Sequence, residues 1–124
     1  MSPTTRLHRL DNGIRLATVS MPHMASVAFG LWTGVGSRHE RAREHGMAQF
    51  VEHMLFKGTP SRSAEAISRN IESLGASIDG FTVEDHTAYQ VKGPAERFER
   101  LFDVLADLYS NPVLDPEEIE SEKA

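Results

Sequence analysis

Apolar and polar positions change period several times along the chain, and each change predicts an element. In RLHRLDNGIRLATVS (6–20), Ile14 and Leu16 alternate with Arg15, the period-two pattern of a half-buried strand. Asn12-Gly13 in the middle predicts a two-residue hairpin turn, because both residue types tolerate positive φ. ASVAFGLWTG (25–34) is an apolar run rich in strand formers and closed by glycine, which predicts a buried strand. VGSRHERAREHG (35–46) is polar and bounded by glycine, so it reads as a loop.

From 45 to 57 the period becomes helical. Met47, Phe50, Val51, Met54 and Leu55 form one apolar stripe, and Gly58 and Pro60 stop it. A second helix is predicted over 63–74, with Ala64, Ile67, Ile71 and Leu74 inward and Gly75 as its stop. ASIDGFTVED and HTAYQVKG (76–85, 86–93) read as an antiparallel strand pair. Pro94 is read as opening a third helix, whose stripe is Phe98, Leu101, Phe102, Leu105, Leu108 and Tyr109. Asp115-Pro116-Glu117-Glu118 is a complete helix start, with Asp as cap and Pro in the first turn. So full a start this near the last residue leads us to expect the front part of a longer domain, 1–124 being a single, apparently truncated, unit.

Composition narrows the chemistry. The 124 residues suit one domain. Net charge is −5, which argues against a phosphate-binding footprint, so no nucleic acid partner is expected. With no cysteine, any metal must use His, Asp or Glu. The N-terminus lacks the apolar stretch of a secretory signal and no run approaches the ~20 residues of a membrane helix. A cytoplasmic location without membrane contact is the expectation, the periplasm remaining open.

On a helical wheel Gln49, Glu52, His53 and His45 share one face, opposite the apolar stripe. A helix-borne metal site needs ligands four residues apart and a carboxylate beside them. Q-F-V-E-H at 49–53 is one residue away from the zinc motif H-x-x-E-H. His45 is on the same face, but ~12 Å separates it from His53 along the axis, too far for one ion. Arg38, Arg41 and Arg43 are interleaved with Glu40 and Glu44, the pattern of a solvated loop.

The stretch GVGSRHERAREHGMAQFVEHMLFKGTPSRS (34–63) resembles the zinc-motif region of the M16, or pitrilysin-like, metallopeptidases, which include processing-peptidase β subunits. Gly46, Phe50, Glu52, His53, Met54, Phe56, Lys57, Gly58 and Thr59 match the family pattern, and Gln49 replaces its first histidine. Residues 10–38 resemble the family's opening hairpin and strand. ESLGASIDGFTVEDHTAYQVKG (72–93) resembles its strand pair, with Asp79 at the usual Asn and Gly80 at the usual Ala. NPVLDPEEIESEK (111–123) resembles the lead into the helix that carries a third ligand, a Glu, which the resemblance places just beyond residue 124.

The resemblance implies an α+β fold, an antiparallel sheet with helices packed on one face, forming the first half of an M16-type domain. It implies zinc held by two His and a Glu, with Glu52 as general base and His53 as one ligand. It implies an extended peptide substrate added to a sheet edge at Asp79, Gly80, Phe81 and Thr82. At position 49 a neutral amide offers only a weak oxygen donor. Two functions follow as expectations: a zinc metalloendopeptidase domain that is inactive as written, with weak or absent zinc, or a non-catalytic homologue that binds peptide or a homologous partner subunit.

Overall fold

The computed structural model describes residues 4–123. Strands β1 (Thr4–Arg9) and β2 (Arg15–Ser20) form a two-stranded antiparallel ribbon. Strand β3 (Ser26–Thr33) leads through two single 3-10 turns, Ser37–His39 and Ala42–Glu44, to helix α1 (Met47–Leu55). A small hairpin of β4 (Gly58–Thr59) and β5 (Arg62–Ser63) precedes α2 (Ala64–Ser73). Then come β6 (Ser77–Thr82), β7 (Thr87–Pro94), α3 (Phe98–Ser110) and α4 (Pro116–Lys123).

The central sheet has the order β3-β7-β6, all antiparallel. Cross-strand register puts Phe29, Val91 and Ile78 in one row and Leu31, Tyr89 and Gly80 in the next. Leu55, Ile67, Ile71, Leu101, Val104, Leu105 and Leu108 pack on these residues to form the core. Helices α1, α2 and α3 thus cover one face, as the α+β expectation requires. Residues i and i+2 of a strand share a face, so this face is apolar while Asp79, Gln90 and Lys92 point to the other.

Local chemistry sets the helix ends. The Ser63 hydroxyl accepts from the amide of Ala66 at 3.1 Å, an N-cap for α2. Asp115 accepts from the amide of Glu117 at 2.8 Å and starts α4 in the same way. A knot of polar groups ties β4 and β5 to α3. Asp107 accepts from Thr59, Ser61, Arg62 and Asn111 at 2.7, 3.1, 2.8 and 3.0 Å, and Arg62 also reaches Asp103 at 2.9 Å. These donors hold the Asp107 carboxyl down at about 2, the Thr59 hydroxyl and the Asn111 amide weighing most.

The structure corrects several sequence expectations. The first hairpin turns through three residues, not two: Leu10 donates to the Ile14 carbonyl, Gly13 donates to Leu10, and Gly13 alone carries positive φ (92°). All of β1 and β2 is exposed, with Leu7 at 78%, so Ile14 and Leu16 are not half-buried. Alternation there reports a pleat, not a buried face. Pro94 ends β7, where it pairs with Ser26, and a 3-10 turn at Ala95–Arg97 separates it from α3. On α1, Met54 and Leu55 are buried but Met47 and Val51 are exposed, because the helix meets the sheet only through its C-terminal half. Phe98, Phe102 and Tyr109 are likewise partly exposed: they lie beside β3, with the Phe29 ring 5.0 Å from Phe98. Val104, which the predicted stripe omitted, is buried in the core.

Candidate functional site

Glu52 and β6 face each other where α1 crosses the edge of the sheet. The Thr82 hydroxyl donates to Glu52 Oε2 at 3.0 Å. The other oxygen, Oε1, lies against Gly80, where a Cβ would sit 3.2 Å from it and 2.8 Å from the Phe56 ring. Only a residue without a side chain lets helix and strand come this close. Phe56 in turn packs on Tyr89, with ring centroids 5.7 Å apart. Burial first, and then the charges of Glu52 and Tyr109, push the Tyr89 phenol well above its ordinary range.

The helical wheel placed Glu52 on a face turned away from the packed side. The structure turns Glu52, half-buried, inward against β6, whereas Gln49, His53 and His45 are exposed. Glu52 and Thr82 are therefore brought together, and Gln49 and His53 lie on the same helix one turn apart. His45 lies outside α1, which begins after Gly46. Asp79, Gly80, Phe81 and Thr82 all belong to β6, and among the described residues β6 pairs only with β7. Its other edge is open, and there Asp79 Oδ1 accepts from the Gly80 amide at 2.9 Å.

One contributor was missed by sequence reading. Glu40 accepts from the amides of Gly46 and Ala48 at 3.0 and 2.6 Å, at the entry to α1. Those two amides hold its carboxyl below the usual range. Position 40 carries no motif signal, since the contact depends on how the loop folds back.

Of the two positions four residues apart on α1, only His53 carries an imidazole. Gln49 offers a neutral amide where a zinc pair needs imidazole. Among the described residues no three His, Cys, Asp or Glu side chains are grouped to hold a metal. No helix among them is long and apolar enough to cross a membrane.

The order of strands and helices, with the Glu52-bearing helix packed on β6, can be set beside known proteins. The chain belongs to peptidase family M16: the family described as insulinase (peptidase family M16) matches residues 15–124. It is 36% identical over 121 residues to mitochondrial-processing peptidase subunit beta of Saccharomyces cerevisiae, covering 98% of this chain and 26% of that protein. It is 36% identical over 121 residues to mouse cytochrome b-c1 complex subunit 1, covering 98% of this chain and 25% of that protein. It is 38% identical over 113 residues to YmxG of Bacillus subtilis, named an uncharacterized zinc protease, with 91% of this chain and 28% of that protein covered. The chain thus spans about a quarter of the length of these curated relatives. The crystal structure of a protease from Helicobacter pylori superposes with a TM-score of 0.90 at 23% identity, over 98% of this chain and 29% of that one, which shows the fold.

Proposed function

We propose that this chain is the motif-bearing part of an M16 peptidase-type domain, and that it engages an extended peptide along β6 without cutting it. The observation that supports this reading is the pairing of an open β6 edge with a Thr82-held Glu52, on the same helix whose first ligand position is Gln49. Asp79 to Thr82 supply the backbone edge, and a peptide carbonyl takes the Gly80 amide that Asp79 now holds. Glu52 occupies the place of the family's general base and His53 that of one ligand. Zinc is the family's metal, as the naming of YmxG as a zinc protease suggests, but Gln49 leaves it without a paired imidazole here.

The test compares wild type with Gln49→His for zinc content by elemental analysis, peptide affinity and peptide cleavage. Wild type is expected to bind peptide with substoichiometric zinc and no cleavage, and Gln49→His to gain zinc affinity. Stoichiometric zinc together with cleavage by the Gln49 form would overturn the reading. A second reading is a non-catalytic partner subunit, favoured by relatives named as subunits of larger assemblies. It predicts no gain of zinc or cleavage from Gln49→His and stable association with a homologous chain.

A further inference from the structure

We propose that Glu40 is the positioning residue of this site: its carboxylate fixes the first turn of α1 and so sets the place of Glu52 over β6. This rests on the reading of the Glu52–β6 crossing as a peptide site. The first amides of a helix have no partner within it, and a Ser, Thr, Asp or Asn at the cap normally supplies one. Helix α1 has Gly46 at that place, with no side chain to offer. The missing acceptor arrives from six residues upstream of Gly46, as Glu40 Oε1 takes the Gly46 amide at 3.0 Å and Oε2 the Ala48 amide at 2.6 Å. A negative charge there also complements the helix dipole.

What makes this more than a cap is where the other end of the loop is fastened. The amides of Ser37 and Arg38 donate to the carbonyls of Val83 and Glu84 at 3.1 and 2.9 Å, just past the end of β6. The Thr87 hydroxyl donates to the Val35 carbonyl at 2.8 Å. Gly36 nests so closely there that a Cβ would overlap the Val83 carbonyl oxygen. The Gly36 amide is itself closed onto His39 Nδ1 at 3.0 Å. Residues 35–48 therefore form a short strap, pinned at one end to the β6–β7 connection and at the other to α1. The two walls of the site, strand and helix, are held at a set distance by this strap, and Glu40 is its helix-side fastening.

The experiment uses the whole chain with Glu40→Ala, Glu40→Gln and, as a control destabilised elsewhere, Thr59→Val. Amide exchange and chemical shifts are read by NMR, and affinity is read with an unstructured eight-residue peptide. Glu40→Ala is expected to speed exchange at Gly46 and Ala48 about tenfold. It should also shift the resonances of Glu52 and Thr82, and weaken peptide binding by roughly fivefold or more. Glu40→Gln, which keeps one acceptor oxygen, is expected to fall between Glu40→Ala and wild type. Thr59→Val is expected to lower the melting temperature while leaving peptide affinity within about twofold. Unchanged Glu52 and Thr82 resonances in Glu40→Ala, or an affinity loss no greater than in the control, overturns the proposal. If wild type binds no peptide, the functional reading fails, and the exchange and shift data still decide whether Glu40 positions α1.

Discussion

Glu52 and Asp107 each accept a hydrogen bond from a threonine, at 3.0 and 2.7 Å, and beyond that their surroundings diverge. Asp107 is saturated. Both its oxygens are taken, and its strongest charged partner, Arg62, is itself only 21% exposed. Glu52 has one oxygen held by Thr82 and the other set against a glycine on an open strand. A carboxylate wrapped in donors is a fastening. One held on a single side is available to whatever enters. The same residue class thus does two jobs in one small chain, and the number and placement of donors separates them.

The largest loss of stability is expected at Asp107. Asp107→Ala leaves Arg62 with Asp103 alone and takes from Thr59, Ser61 and Asn111 their shared carboxylate acceptor, and it should cost about 3 kcal/mol in urea unfolding. Next, Gly80→Ala pushes a methyl into the Phe56 ring and the Glu52 carboxylate. It should cost about 2 kcal/mol and move α1 off β6, visible as changed Glu52 and Thr82 resonances. A smaller effect follows from pH. The folded Asp107 carboxyl is depressed from 3.8 to about 2, so its contribution is complete above about pH 4 and is lost as pH falls through about 2. After solvent screening that contribution is on the order of 1 kcal/mol, and Asp107→Asn should flatten this part of the acid-unfolding curve. Smallest of all, Glu52→Gln keeps an acceptor for Thr82 and should change stability by less than about 0.5 kcal/mol. A loss as large as that at Asp107 would show Glu52 to be a second fastening and erase the contrast.

Local signals were legible and long-range ones were not. Ser63 and Asp115 cap helices within three residues of themselves, so their roles could be read directly from the chain. The strand reading of 76–93 likewise agrees with the β6–β7 pair. The contacts that build the site cross greater distances: Thr82 to Glu52 spans 30 residues and Thr59 to Asp107 spans 48. Helix α1 shows the limit best. Its periodicity located the helix, but which flank meets the sheet depends on Gly80 and Phe56, and a wheel drawn from α1 alone turned Glu52 the wrong way. Glu40 reads as part of a solvated loop because nothing local distinguishes it from Glu44.

The ribbon of β1 and β2 carries apolar side chains on both faces, Leu7 and Val19 on one and Leu10, Ile14 and Leu16 on the other, all of them exposed. A two-stranded ribbon standing without a packed face has little free energy of its own. Its ladder should therefore open and close independently of the sheet β3-β7-β6, whose central strand is buried at Thr87, Ala88, Tyr89 and Val91. Mechanically, the expectation is a cooperative body from Ser26 onward and a loosely coupled arm in front of it. Whatever surface closes over that arm will set its lifetime.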